Sequence, residues 1–311
     1  MRLQMSNEEL TQQEIADEAP SRGYITLGIN TGEDNVRYCY ALACSILNCD
    51  PNASITLVVD KGQSGTVPSY YEHVFDYMIE LPYGNSAHKD GFHGMNLWQV
   101  FHCTPYKETI YVDYDTLFVN VDTTNLWDIM SVNKAISFPK NALSYRNFHV
   151  PPDFRHTFEL QYQLPRLYYN MIYFHKDSQE AMQWFKMADP IFQHWRDVYT
   201  NTFTDRKPED FEKNILGNIT THFMDMHDEV GIYLNNHYDL HSLSHGAFPS
   251  LEEVPRNWTD MLNYWVTDNQ KIQIENSIIS SGIIHYSDET FLTDEVIDVF
   301  RSKLITRLQE R

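Results

Sequence analysis

Strand and helix signals alternate along residues 23–120, and this alternation restricts the fold more than any other feature. Strands are predicted at 23–29, 54–62, 77–82 and 108–112, and the helices between them at 33–48, 69–75 and 94–103. This order is typical of βαβ units, whose strands run parallel. The pattern therefore predicts an α/β fold with a mostly parallel central sheet flanked by helices.

The remainder of the chain is less regular but contains the same kinds of element. Strands are predicted at 134–139, 167–176 and 277–287, and helices at 178–199, 208–223 and 292–310. No internal repeat and no linker rich in Gly, Pro or Ser divides this part. We therefore expect one domain over residues 23–296, with a polar tail at 1–22 and a terminal helix at 292–311.

Composition excludes several classes of protein. With 42% hydrophobic residues, a chain of 311 residues can bury a sizeable core, and a net charge of −20 argues against a broad surface for nucleic acid. No apolar run approaches the roughly 18 residues of a membrane span, and the opening segment lacks the apolar stretch of a secretion signal. The four cysteines have neither zinc-site nor disulfide spacing. We expect a cytoplasmic protein without a membrane span.

Two aspartates interrupt the apolar run TIYVDYDTLFV at residues 109–119. Asp113 and Asp115 follow a predicted central strand, and ligands of such sheets bind beyond the carboxyl ends of the strands. Residues two apart on a strand point to the same side, so the two carboxylates are expected to converge. Burying carboxylates is costly without a partner, and a phosphate ligand of so acidic a chain needs a cation. The pair therefore predicts a metal site.

Other interpretations of the pair remain open on the residues alone. Aspartates at a strand end can simply begin a turn. A phosphatase of the haloacid dehalogenase class has a D-x-D-x-T motif, but Thr116 follows Asp115 directly and the motif stands after three strands. A third class uses carboxylates to hold a divalent cation against the diphosphate of a sugar nucleotide.

The segment LWQVFHCTPYKETIYVDYDTLFV (97–119) favours that third class. It resembles the part of family 8 glycosyltransferases, the glycogenin and galactosyltransferase group, that leads into an Asp-x-Asp motif. The opening strand and helix (24–47) resemble that family's base-contacting elements. Two blocks, LPRLYYNMIYF (164–174) and HYSDETFLTDE (285–295), are also similar to glycosyltransferase-like proteins of large tailed bacteriophages. The resemblance covers most of residues 23–296.

The resemblance implies a GT-A fold, a Rossmann-like nucleotide-diphospho-sugar transferase, with a nucleotide-binding half (23–120) and an acceptor half (121–296). It implies metal-dependent and retaining transfer of a sugar from a nucleoside diphosphate sugar, a UDP-sugar first, to an acceptor hydroxyl. The acceptor is expected to be a glycan or a hydroxymethylated base in phage DNA, which would receive glucose or arabinose in the host cytoplasm. The alternative is a sugar-nucleotide-binding or carbohydrate-binding protein with this fold and no transfer activity.

The family's metal ligands correspond to Asp113, Asp115 and His285, although a lone histidine is often structural. An imidazole beside two carboxylates favours Mn²⁺ over Mg²⁺. Donor contacts are implied for Tyr114 and for four residues of the opening segment, Thr26, Leu27, Asn30 and Thr31. The residues implied on the sugar and acceptor side are Asn170, Asp210 and Glu212.

The chain departs from the family where the diphosphate is held. The Gly and Lys that follow the family's histidine are replaced by Ser287, Asp288 and Glu289, and the Lys near its Trp helix by residues around Asn96 and Leu97. A guanidinium can bind two phosphate oxygens at once. Arginines are therefore the expected substitutes, unless they are ordinary surface residues: Arg37, Arg146, Arg155 and Arg166.

Overall fold

The computed structural model describes residues 19–29, 34–89, 93–150, 164–165, 167–202, 213–226, 228–234, 238–243 and 258–309. The strands are β1 Arg22–Leu27, β2 Ile55–Val59, β3 Tyr77–Glu80, β4 Glu108–Val112, β5 Thr116–Val119, β6 Ile136–Pro139, β7 Met171–His175, β8 Gly231–Ile232, β9 Leu240–Ser242, β10 Tyr264–Val266, β11 Ile272–Ile274, β12 Ser277–Ile279 and β13 Gly282–His285. The helices are α1 Asn35–Cys49, α2 Ser69–Glu72, α3 Val100–Cys103, α4 Thr123–Met130, α5 Gln179–Gln193, α6 Trp195–Thr202, α7 Lys213–Phe223 and α8 Asp294–Gln309.

A seven-stranded sheet forms the centre of the molecule, in the order β3-β2-β1-β4-β7-β6-β8. Strand β7 is antiparallel to its neighbours β4 and β6, and every other adjacent pair of this sheet is parallel. Strand β2 reads ITLVV and is buried at all five positions, as expected for a strand covered on both faces. The predicted α/β class with a mostly parallel sheet is confirmed.

Alternation along the strands divides the core between the two faces of the sheet. On β4, Ile110 and Val112 belong to the cluster packed with α1 and α8, whereas Tyr111 belongs to the cluster packed with α5 and α7. This is the two-residue periodicity of a strand. Asp34 caps α1 by accepting a hydrogen bond from the Arg37 backbone N–H at 3.2 Å. The sheet is therefore covered by α1 and α8 on one face and by α5 and α7 on the other.

Two smaller sheets were not predicted. Strand β13 pairs antiparallel with β5 and parallel with β9, and β10, β11 and β12 form an antiparallel sheet. The stretch 277–287, predicted as one strand, is in fact two strands in different sheets. The break falls before Gly282, which has φ +136°, and a Cβ there would lie 2.7 Å from the Asp239 carbonyl oxygen.

Two helix predictions also need correction. Residues 94–103 form a 3₁₀ helix over His93–Gln99 and one α-turn, α3. Side chains of this stretch bind backbone outside it: Asn96 accepts from Ser86 N–H, and Gln99 donates to the Gly84 carbonyl. The predicted helix 178–199 is two helices, α5 and α6, separated at His194. The terminal helix is confirmed as α8. Across the described part of the chain, no helix has the length and apolar character needed to cross a bilayer.

Candidate active site

Asp113 and Asp115 lie in a tight turn between sheets, residues 113–115, which we call the metal turn because it carries two of the candidate metal ligands. Strand β4 ends at Val112, and β5 of the second sheet begins at Thr116. Asp113 N–H donates to the Asn170 carbonyl at 2.8 Å, and Asp115 accepts on its carbonyl from Tyr286 N–H at 3.0 Å. The prediction that the pair stands beyond the carboxyl end of β4 is confirmed. The reason for convergence is different, because a turn, not the pleat of a strand, brings the two side chains together.

His285 lies beside this turn although it is 170 residues away from Asp115. It is the last residue of β13, whose antiparallel register places it opposite Thr116. Its Nε2 is 3.1 Å from Asp115 Oδ2, and one ligand atom from each of Asp113, Asp115 and His285 lies within 4.8 Å of the others. The three residues named from the resemblance therefore form one cluster.

The chemistry of this cluster fits a divalent cation. Asp115 Oδ1 is buried and accepts no hydrogen bond from the described residues. The other oxygen, Oδ2, is the one that faces His285. The side chains of Asp115 and His285 are only 13% and 14% exposed, so water screens this charge poorly. A buried carboxylate needs a positive partner, and two carboxylates with an imidazole form a suitable ligand set. The Asp113–Asp115–His285 group can hold a metal ion.

Tyrosine hydroxyls surround the two carboxylates. Tyr111 OH donates to Asp113 Oδ1 at 2.5 Å, Tyr114 OH donates to Glu289 Oε1 at 2.9 Å, and Tyr286 OH donates to the Tyr114 carbonyl at 3.3 Å. Burial, followed by the negative charge of Asp115, raises the pKa of each of these phenols well above its usual value. They are therefore neutral donors that hold the turn in place.

The segment after His285 has no free cation to offer a diphosphate. Asp288 accepts on one oxygen from Thr290 and on the other from Thr259, through backbone and hydroxyl groups in both cases. It caps the short helix Glu289–Phe291. Glu289 in turn accepts from Tyr114. Both carboxylates therefore have structural partners: Glu289 holds Tyr114 of the metal turn, and Asp288 holds Thr259 and Thr290.

Some of the predicted donor contacts lie within the described residues and others do not. Thr26 and Leu27 have buried side chains on β1, and Thr26 Oγ1 lies 3.6 Å from the Cys39 sulfur. Arg37 forms an ion pair of 2.7 Å with Asp294 at the start of α8. Arg146 Nε donates to Tyr145 OH at 3.0 Å. Asn30, Thr31, Arg155 and Arg166 lie outside the described residues. Asn96 and Leu97 are themselves buried, so neither of these two side chains offers a phosphate contact.

Asn170 is the predicted sugar-side residue that the structure brings to the metal turn. It directly precedes β7, is 2% exposed, and accepts from Asp113 N–H on its backbone. Neither its side-chain oxygen nor its nitrogen has a hydrogen-bond partner within the described residues. A buried amide without partners costs stability, which suggests that a ligand satisfies it. The other two predicted residues, Asp210 and Glu212, lie outside the described residues.

Sequence reasoning missed Tyr111. Its position on a buried strand resembles that of an ordinary core residue, and its ring does pack in the core. It stands two residues before Asp113, so the pleat directs both side chains to one side of β4. That spacing was the available signal. A surface groove of about 810 Å³, lined by Glu108, Tyr173 and His175 among others, lies at the opposite edge of the sheet and contains no predicted site residue.

Comparison with known proteins supports the fold. No family profile and no curated protein matches the chain. The galactosyltransferase LgtC, solved with donor and acceptor sugar analogues, is 11% identical with a TM-score of 0.52, over 91% of this chain and 95% of LgtC. An active-site mutant of LgtC gives 9% identity and a TM-score of 0.50 over the same shares.

A third match is the glycosyltransferase GlyE of Streptococcus pneumoniae TIGR4, with 12% identity and a TM-score of 0.38. The match covers 69% of this chain and 46% of GlyE, so the chain spans about half the length of that protein. At identities this low the likeness concerns fold alone. Together with the sheet order, the likeness to LgtC shows that the chain has the GT-A glycosyltransferase fold, as predicted.

Proposed function

We propose that this protein transfers a sugar from a nucleoside diphosphate sugar to an acceptor hydroxyl, with a divalent cation held by Asp113, Asp115 and His285. The observation that carries the proposal is the convergence of these three side chains at the ligand edge of a GT-A sheet. One oxygen of Asp115 has no hydrogen-bond partner there among the described residues. UDP is the expected nucleotide and retention the expected outcome, as the resemblance to family 8 implies.

The ligand set favours Mn²⁺, with Mg²⁺ as the alternative, because an imidazole accompanies the carboxylates. When bound, such an ion supplies Lewis-acid stabilisation of the departing diphosphate. The protein's own groups then have positioning tasks. Tyr111 orients the Asp113 carboxylate, and Tyr286 holds the Asp115 backbone. With the ion supplying this stabilisation, the leaving group needs no strong acid, and none of the described residues is assigned that role.

Asn170 is assigned to the sugar of the donor. Its amide is buried next to the metal turn and can both donate and accept. On the acceptor side we keep Asp210 and Glu212 as proposals, since α7 begins immediately after them at Lys213. A carbohydrate hydroxyl is the first acceptor to test. The hydroxymethylated base of phage DNA stays a prediction from the resemblance to phage proteins.

Calorimetry and turnover assays test the proposal together. Wild-type protein is expected to bind UDP in the presence of Mn²⁺ and to release UDP slowly from a UDP-sugar in water. Asp113→Asn with Asp115→Asn should lose both properties. Asp298→Asn is the matched control, because this aspartate lies on α8 and pairs only with Arg301 three residues later among the described residues. Metal-dependent UDP-sugar turnover that survives in the double variant would refute the proposal.

A sugar-nucleotide-binding protein without transfer activity is the second candidate. The observation that favours it is the presence of Asp288 and Glu289 where family 8 enzymes carry diphosphate-binding residues. UDP and Mn²⁺ would then bind to the wild-type protein, but no UDP would be released from any of several UDP-sugars, with or without saccharide acceptors. Release of UDP above the rate of the double variant excludes this candidate.

A further inference from the structure

The half-buried Lys140 and the exposed Tyr233 form a pair at the ends of two neighbouring strands. Lys140 follows β6 and Tyr233 follows β8, and the Lys140 ammonium lies 4.2 Å from the centre of the Tyr233 ring. This is within the range of a cation–π contact. The ring is 65% exposed, and the ammonium forms no ion pair within the described residues. The pair thus presents an aromatic face and a positive charge to the solvent.

The backbone beneath the pair is held firmly. Lys140 N–H donates to the Ile232 carbonyl at 2.9 Å. The next residue, Asn141, donates to the Leu234 carbonyl at 2.7 Å and accepts from Leu234 N–H at 2.8 Å. Gly231 leaves space for the lysine stem, because a Cβ there would lie 2.8 Å from Lys140 Cδ. The two strand ends therefore form a rigid platform.

The platform lies at the same edge of the sheet as the metal turn. Strands β6 and β8 are parallel to each other, and both run parallel to β4 because β7 between them is antiparallel. Their carboxyl ends consequently point the same way as the end of β4 that leads to Asp113. With strands about 4.8 Å apart, the end of β6 is displaced sideways from that of β4 by about 10 Å and the end of β8 by about 14 Å. Asn170, the residue proposed to contact the donor sugar, directly precedes β7 and so lies between the ends of β4 and β6.

Charge along this edge is unusual for the chain. The protein has 43 acidic and 23 basic residues, yet residues 140–150 contain Lys140 and Arg146 and no carboxylate. The segment crosses from the platform towards the metal site, because Leu143 donates to the Leu240 carbonyl at 2.7 Å and accepts from Ser242 N–H at 2.8 Å. Ser242 is in register with His285. The segment 140–150 therefore forms a strip with two basic residues and the exposed Phe148 ring beside the acidic metal turn.

We propose that Lys140 and Tyr233 form the acceptor subsite and that the acceptor is an anionic saccharide. Its carboxylate or phosphate binds the Lys140 ammonium, and a sugar ring lies against the face of Tyr233 that Lys140 does not cover. This inference rests on the proposed transfer function and names its acceptor class. It also predicts that anionic acceptors are preferred, because an uncharged sugar would contact the tyrosine ring but leave the ammonium without an anion.

A saccharide fits this strip better than a nucleic acid does. Nucleic-acid affinity comes from neutralising many phosphates, and the chain carries a net charge of −20 with two Lys or Arg residues in this segment. A single anionic group on a short saccharide needs only one such cation. Stacking on one exposed tyrosine suits a sugar or a base equally, so charge decides between them.

Binding measurements on matched sugar pairs test the proposal. The probes are methyl glucuronide against methyl glucoside, and glucose-6-phosphate against glucose, each followed by ligand-observed NMR with the full chain. At least one charged sugar should bind about tenfold more tightly than its neutral partner, which corresponds to one ion pair of about 1.4 kcal/mol. The pair that shows the difference distinguishes carboxylate from phosphate.

Variants locate that preference. Lys140→Gln should abolish the difference in affinity between charged and neutral sugars. The control Lys271→Gln removes an exposed lysine directly before β11 and should keep this difference. Tyr233→Ala should weaken both members of a pair, and Tyr233→Phe should not. Equal binding of charged and neutral sugars, or a preference that persists in Lys140→Gln, would overturn the proposal. So would a short single-stranded oligonucleotide that binds through Lys140 more tightly than any sugar.

UDP binding with Mn²⁺, measured on the same samples, separates this proposal from the function on which it rests. If UDP fails to bind while Lys140 still selects charged sugars, the transfer function is wrong and the anionic subsite stands. If UDP binds and turns over but Lys140→Gln changes no sugar affinity, the subsite is wrong and the transfer function stands.

Discussion

Removing the Tyr111 hydroxyl tests whether the protein positions its metal ligands before an ion binds. Tyr111 is 4% exposed, and its hydroxyl donates to Asp113 Oδ1 at 2.5 Å. A hydrogen bond to a charged group contributes about 1.5–3 kcal/mol. Losing a partner that orients a metal ligand typically costs about 10- to 100-fold in affinity, or about 1.4–2.8 kcal/mol. The first range is the expected loss of folding stability, and the second gives the expected effect on the ion: Tyr111→Phe should weaken Mn²⁺ binding by about 10- to 100-fold.

Tyr173→Phe is the matched control for this change. The Tyr173 ring is buried on the neighbouring strand β7, and its hydroxyl donates to Glu108 at 2.8 Å beside the surface groove, at the opposite end of β4. Both variants lose one phenol–carboxylate hydrogen bond, so urea denaturation should show a loss of stability in each, larger in Tyr111→Phe because its hydrogen bond is buried. Calorimetric titration with Mn²⁺ should separate them, because only Tyr111→Phe affects a metal ligand. Unchanged Mn²⁺ affinity in Tyr111→Phe, or an equal loss in both variants, would refute the reasoning.

Three further outcomes are expected. Mn²⁺ should raise the melting temperature of the wild-type protein and not that of Asp115→Asn, as thermal scans with and without the ion will show. Asn170→Ala removes an amide that makes no side-chain hydrogen bond to described residues, so its unfolding free energy should stay within about 1 kcal/mol of wild type while UDP-sugar turnover falls. Burial lowers the pKa of His241 to about 4, so the unfolded chain alone binds this proton between about pH 6.5 and 4. Stability should therefore fall by about 3 kcal/mol as pH drops through that window, and denaturation of His241→Gln should show a smaller decrease.

The first half of the fold could be predicted because its signals are local. Parallel strands such as β2 are buried on both faces and read as short apolar runs, and α1 follows a capping aspartate with a continuous apolar face. The ligand edge then follows from a general rule about open α/β sheets. Asp113 and Asp115 could be placed there from one sequence, without knowledge of the turn that connects β4 to β5.

The smaller sheets could not be predicted in the same way. Strands β5, β9 and β13 have three or four residues each, too few to show a period, and β5 and β13 pair across more than 160 residues. In the stretch 277–287 the apolar pairs on either side of Ser280 and Ser281 suggest one strand, while the positive φ of Gly282 separates two. His285 was found through a resemblance, since nothing local identifies one histidine among fourteen.

Under the proposed function, charge around the metal turn determines how strongly the binding of the donor and the binding of the ion depend on each other. Glu289 accepts from Tyr114 of this turn, Asp288 accepts from Thr259 and Thr290, and Arg37 is paired with Asp294. Among the described residues, the cluster therefore offers a diphosphate little positive charge apart from that of a bound ion. A metal ion that neutralises both the aspartates and the diphosphate makes the two binding events favour each other. By linkage, UDP must then raise the affinity for Mn²⁺ by the same factor by which Mn²⁺ raises the affinity for UDP. The acidic segment after His285 thus makes donor binding more dependent on the ion than a lysine at that position would.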